Sequence, residues 1–217
     1  MSAREDILGR VRAATRDVTE KDPALDVPVT WAYGQPLATP DVLADFVEKV
    51  EDYRAVVVRV PSDQVPRAIA DALTTLGVHS AVMPPGVPAA WAEAASAAGV
   101  RLFADEPPLT HAELNDIDAV VTASAVAMAD SGTIALDHHT DQGRRALSLL
   151  PDAHVCVVRA DQVVSDVPEG IARLAPAMRA RRPVTWLSGG SATSDIELSR
   201  VEGVHGPRRL WVVLAED

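Results

Sequence analysis

Apolar residues recur along this chain with two different periods, and the places where the period changes divide it into elements. Ser2 and Glu5 stand three apart as a capping box, and Ile7, Leu8, Val11 and Val18 fall on one stripe of a helical wheel, so the chain opens with an amphipathic helix. From about Asp22 to Gln35 the sequence is polar and proline-containing with no sustained period, which reads as a linker. Residues 1–35 are therefore expected to form a helical arm with its linker, and residues 36–217 the main domain. Thr39 is expected to cap the next helix, with Pro40 at its first position and Leu43, Phe46, Val47 and Val50 on its apolar face. The β-branched run 54–60 reads as a strand covered on both faces, and 62–76, closed by Gly77, as a helix. The unit recurs with strand 80–83, helix 89–98 closed by Gly99, and strand 100–103. Such alternation predicts an α/β fold with a largely parallel sheet flanked by helices. The second half departs from it: 118–124 and 133–137 read as strands joined by a glycine-containing turn, a hairpin or bulged meander. Strand 153–159, helix 166–182 kinked or divided at Pro176, strand 184–187 and a final strand 210–214 complete the pattern.

Composition narrows the chemistry. Hydrophobic residues are 47% and charged residues 24% of the 217, the balance of a folded globular chain. Asp and Glu number 31 against 20 Lys and Arg, a formal charge of −11 that disfavours nucleic acid and anionic lipid as partners. The only lysines, Lys21 and Lys49, stand among charged neighbours, which removes Schiff-base and Walker A chemistry. Cys156 is the only cysteine, so this chain forms no internal disulfide, cysteine-ligated iron–sulfur cluster or cysteine-rich zinc site. Its place in the apolar run 154–158 predicts a buried, inert thiol. With no apolar leader at the start and no window near the roughly 18 apolar residues of a membrane span, a cytoplasmic protein is expected.

The densest chemical signal is Trp186 to Glu197, read as a strand, a glycine and hydroxyl loop, and a short helix. Backbone amides freed by Gly189 and Gly190, the hydroxyls of Ser188, Ser191, Thr193 and Ser194, and a helix N-terminus would cradle a carboxylate or phosphate. Ser194 and Glu197 equally fit a capping box with no ligand. Asp130, in the turn Asp130-Ser131-Gly132-Thr133, has the chemistry of a nucleophile or base, or of an ordinary turn aspartate. His138 and His139 are adjacent, which on a strand sends them to opposite faces, and no metal site is expected. Arg144 suits an anion, or a solvated face; His205 and Arg208 stand in a loop before the last strand. If strands ending near Asp137, Arg159 and Leu187 share one sheet edge, their loops meet there. The His205 to Arg208 loop joins them only if the last strand runs antiparallel.

The run 188–197, the turn 130–134, and the segments 142–147, 151–158 and 201–207, taken in order, resemble the lactate utilization protein C family, the LUD domain. The resemblance covers residues 118–214 most closely. It implies the fold shared by sugar-phosphate isomerases and CoA transferases, and membership of a cytoplasmic system that oxidises L-lactate to pyruvate, with iron–sulfur clusters on partner subunits and no cofactor on this chain. Family members usually carry Glu-Thr-Gly-Thr at 130–133 and Ser-Gly-Pro-Ser at 188–191. Asp130 is one methylene shorter than the glutamate nucleophile of the distant CoA transferases, a displacement that argues against covalent acyl transfer. Two functions follow as expectations. One is an accessory, non-redox subunit that binds a small carboxylate or phosphate, or the iron–sulfur subunits. The other is a stand-alone isomerase or acyl transferase using Asp130. A homodimer is the expectation from frequency alone.

Overall fold

The computed structural model describes residues 2–20, 22, 25, 28, 36–190, 192–194, 200–202 and 206–217, with backbone alone at 192–194 and 200–202. It divides into two compact units, Met1–Gln35 and Pro36–Asp217. In the first, helix α1 (Ala3–Ala14) begins at the Ser2–Glu5 capping box, both of whose hydrogen bonds are present. Ile7 and Val11 on its apolar stripe are exposed.

The second unit is built on a six-stranded sheet in the order β1 (Val56–Pro61), β12 (Arg209–Glu216), β7 (Ala153–Arg159), β4 (Ala119–Thr122), β2 (Ser80–Val82), β3 (Arg101–Phe103), and every pair in it is parallel. Helices α3 (Val65–Thr75) and α4 (Ala89–Ala97) cover one face, against Val155, Val157 and Val213. The other face meets helix α2 (Val42–Asp52), the short helix α5 (His111–Asn115) and a second sheet. That sheet has four strands, ordered β8 (Val163–Val164), β5 (Val126–Met128), β6 (Thr133–Leu136), β9 (Thr185–Leu187). Its β5–β6 and β6–β9 pairs are antiparallel. Helix α6 (Val167–Arg179) closes its outer side, with Leu174 on Val126 and Met128. The result is an α/β fold, with the second sheet taking part of a flank otherwise left to helices.

Several local expectations are corrected. Asp41, not Thr39, caps α2, its carboxylate accepting from the amides of Leu43 and Ala44, while the Thr39 hydroxyl donates to Asp45. β1 is an edge strand, half-exposed along its length, because β12 inserts between it and β7. The segment between 118 and 137 holds three strands in two sheets, β4 in the large one and the β5–β6 hairpin in the small one. Pro176 sits inside an unbroken α6. Ser194 ends strand β10 (Ala192–Ser194), which pairs antiparallel with β11 (Arg200–Glu202), and the short helix expected after it falls on residues 195–199, outside the described residues. Glu197, Ser191 and His205 lie outside the described residues.

Candidate functional site

The two most distinctive motifs of the sequence, far apart in the chain, become neighbours through the small sheet. β6 pairs with β9 so that Ile134 faces Leu187, which sets Thr133 beside Ser188, their hydroxyl oxygens 2.7 Å apart. Both motifs press their glycines on the end of α2. Gly132 has φ +60°, and a Cβ there would stand 2.7 Å from the Lys49 carbonyl carbon. Gly189 has φ +83°, and its Cβ would meet the Tyr53 side chain at 2.5 Å. Both positions exclude a side chain twice over, by backbone conformation and by space. Gly190 in turn lies on the Arg208 carbonyl, 2.3 Å from where its Cβ would be.

The inner side of this loop borders a cavity of about 240 Å³ between the end of the small sheet and the face of the large one. Ser188, Gly189 and Thr185 line it from the small sheet, His154 and Leu210 from the large one, and Ser148 from the 3₁₀ turn Arg145–Ser148. His154 and Leu210 are register partners on β7 and β12, on the face that carries Cys156 and Val212. The His154 ring is fully buried; its Nε2 is 2.8 Å from the Thr122 hydroxyl, and its Nδ1 has no partner among the described residues. Burial without a compensating carboxylate penalises the imidazolium and pushes its pKa down to about 4, so the ring is neutral at pH 7. Cys156, two residues on, is also fully buried, and burial pushes its thiol up to about 12. It is an inert thiol, as expected.

Thr185 is held by a second histidine. His138, in the left-handed region at φ 56°, stands beyond the end of β6, with Nδ1 2.9 Å from the Gly143 carbonyl and Nε2 2.8 Å from the Thr185 hydroxyl. The Gln142 side-chain carbonyl accepts from the amides of Asp137 and His138, fixing this turn. His138 and His139 thus occupy a turn, not a strand, and no group of three metal-ligating side chains is assembled among the described residues.

The expected cations are elsewhere. β6 and β9 are antiparallel, so the loops after Asp137 and Leu187 leave opposite ends of the small sheet, and Arg144 follows the former. Its guanidinium makes paired hydrogen bonds of 2.7 and 2.9 Å to Asp105 and a third to the Leu109 carbonyl. The paired bonds from Arg144 hold the Asp105 carboxyl below its ordinary range. Arg208 pairs with Asp152 at 3.2 Å. The last strand is parallel to its neighbours, yet residues 206–208 still reach the glycine loop, because β9 belongs to the other sheet. Neither arginine lines the cavity. Asp130 is exposed in the β5–β6 turn, its amide bonded to the Ser165 carbonyl, and it is also absent from the cavity wall. Ser188, Gly189 and Gly190 are therefore the expected residues that border the cavity, joined by His154, Thr185 and Ser148, which pattern reading missed. One signal marked His154: a titratable residue inside an otherwise apolar strand.

Residues 43–215 match the model of the LUD domain. The chain belongs to the LUD domain family. A Lactate utilization protein C from Deinococcus radiodurans is 52% identical over 179 residues, 82% of each chain. A Lactate utilization protein C from Bacillus pumilus is 35% identical over 101 residues, 45% of this chain and 42% of its own length. A crystal structure of a DUF162 family protein from Deinococcus radiodurans superposes with a TM-score of 0.71 at 47% identity, covering 83% of this chain and 99% of that one. For this LUD domain protein, the match spans both sheets and every residue of the cavity named above.

Proposed function

We propose that this LUD domain protein is a non-redox component of a cytoplasmic lactate utilization system, working beside subunits that carry iron–sulfur clusters, and that the cavity between its two sheets holds a small metabolite of that system. The observation that carries the reading is the 52% identity, over 82% of both chains, to a protein named Lactate utilization protein C. Two features support it. The only cysteine is buried and protonated, so this chain supplies no thiolate for a cluster. The cavity is bordered by the motif that most distinguishes the sequence, with an unpartnered buried histidine in its wall. A stand-alone enzyme built on Asp130 has no comparable support, since that carboxylate is exposed on a turn outside the cavity. Deleting the protein from a host with no substitute pathway is expected to abolish growth on L-lactate while sparing growth on pyruvate, and the tagged protein is expected to co-purify with iron–sulfur subunits. Unchanged growth on L-lactate would refute the reading.

A further inference from the structure

One edge of the large sheet ends without cover. β1 pairs with β12 on one side and, among the described residues, with no strand on the other, so alternate residues of β1 turn an N–H and a C=O outward with no backbone partner. The opposite edge strand, β3, is protected: it has three residues, and the Arg101 guanidinium lies 4.8 Å from the centre of the Phe103 ring. β1 has six residues, four of them valine, and a long apolar edge of that kind is kept in solution by being paired. The sheet face beside it is also open. Val56, Val58 and Val60 share the α3 side with their register partners Trp211, Val213 and Ala215, yet Val56 is exposed and Val58 and Val60 are half-buried. α3 packs over β12 and leaves a groove along β1, made of two hollows of about 320 and 330 Å³ that both border on Trp211. Val56 lines the first, and Val58 and Val60 the second, with Arg67 and Asp71 of α3 on its rim.

The rim charges indicate what covers this groove. Arg67 and Asp71 stand one helical turn apart, 3.7 Å between charged groups, and are so exposed that the pair adds little to α3 itself. Arg59 lies about 7 Å before the end of β1, and Ile69 about 6 Å after the start of α3, which runs back over the sheet. A two-fold axis through Arg59 that sets β1 antiparallel to its copy therefore passes level with Ile69, and places Arg67 of each chain opposite Asp71 of the other. At about 4.8 Å between strands the two β12 strands stand about 14 Å apart, and the α3 helices above them are then within reach of an arginine and an aspartate side chain. Arg59, on the other face, meets its copy with its charge already matched by bonds of 2.6 and 3.0 Å to Glu216. A contact between identical surfaces needs a self-complementary patch, and this one is apolar in the middle with a cation and an anion placed symmetrically about the axis. We propose that the chain forms a homodimer through β1, which joins the two large sheets into one and closes the groove between the two α3 helices. An extended segment of another protein could use the same backbone groups but would have no symmetric match for Arg67 and Asp71. The proposal is independent of what the cavity between the sheets holds.

Sedimentation equilibrium of the full chain is expected to give twice the mass of one chain at micromolar concentration. Val58→Lys, at a half-buried position from which a lysine reaches solvent in the single chain, is expected to keep its circular dichroism spectrum and to be monomeric. Arg67→Asp and Asp71→Arg are each expected to weaken association about 10-fold, because like charges then face each other across the axis, and an equimolar mixture of the two is expected to recover it. Should Val58→Lys fail to fold, the exposed charge variants decide alone. A monomeric unaltered protein, a dimer that survives a folded Val58→Lys, or a mixture that associates no better than either charge variant by itself would overturn the proposal. So would a different protein found bound at this edge in place of the copy and released by Val58→Lys.

Discussion

In the six-stranded sheet all strands are parallel, and β7 carries six consecutive buried residues, whereas the four-stranded sheet mixes directions, uses strands of two to four residues, and opens at Ser188 on a cavity. The first is a frame held by side-chain burial on both faces. The second is also buried on both faces, Ala127, Ile134 and Leu136 in the core shared with the large sheet and Val126, Met128 and Ala135 in the core under α6, but it is tied besides by backbone contact: two glycines pressed on the end of α2, and a hydroxyl pair joining motifs from different parts of the chain. The contrast explains where chemistry collects. A short, mixed sheet laid against a long parallel one leaves an unfilled end, and polar groups at that end line a space instead of packing into a core.

The largest expected effect tests how the small sheet is held. Gly132→Ala would force a side chain into the backbone of Lys49 and Val50 at a positive φ, and is expected to cost about 4 kcal/mol of stability in denaturant titration. A loss below about 1 kcal/mol would mean that α2 yields easily and that the contact is not a constraint.

A pH-dependent effect follows from the large sheet. His154 titrates near 4 in the folded protein against an ordinary value of 6.5. Between these values the unfolded chain takes up the proton and the folded one does not, so stability is expected to fall as pH drops from 6.5 to 4 and to lose nothing more from this group below that. The full loss is about 3 kcal/mol. Denaturant midpoints measured across this window check it, and His154→Gln is expected to flatten the slope.

These two positions show unequal legibility. The frame was readable because its strands and helices have strong periods: β7 spans the residues expected for it, and α3 and α4 end at Gly77 and Gly99. The small sheet was not, since two residues of β8 and three of β5 carry no period, and its pairing joins segments far apart in sequence. The glycine loop was found by composition, but the packing that its glycines serve was not. Gly189 and Gly190 allow close backbone packing, and Ser194 lies in a strand. Arg144 and Arg208 looked like anion ligands because sequence shows charge without its partners; Asp105 and Asp152 are those partners. His154 was hidden by the reverse problem, a polar residue inside an apolar strand, whose unpaired nitrogen appears only when its neighbours are placed.

Smaller effects sharpen the separation of structural from functional polar groups. Arg144→Ala removes the half-buried pair with Asp105 and, with solvent screening taken into account, is expected to cost about 1–2 kcal/mol in a thermal melt while leaving ligand titration unchanged. Asp130→Asn is expected to shift stability by less than about 0.5 kcal/mol and to rescue growth of the deletion strain on L-lactate as well as the unaltered protein does.

The central claim is that function resides in the cavity between the sheets. It is tested most directly by rescue of the deletion strain with Leu149→Trp, which places an indole in the 240 Å³ space from a half-buried position in its wall. With folding confirmed by a cooperative melt, this variant is predicted to fail to restore growth on L-lactate. Full growth from a folded, cavity-filled protein would contradict the account.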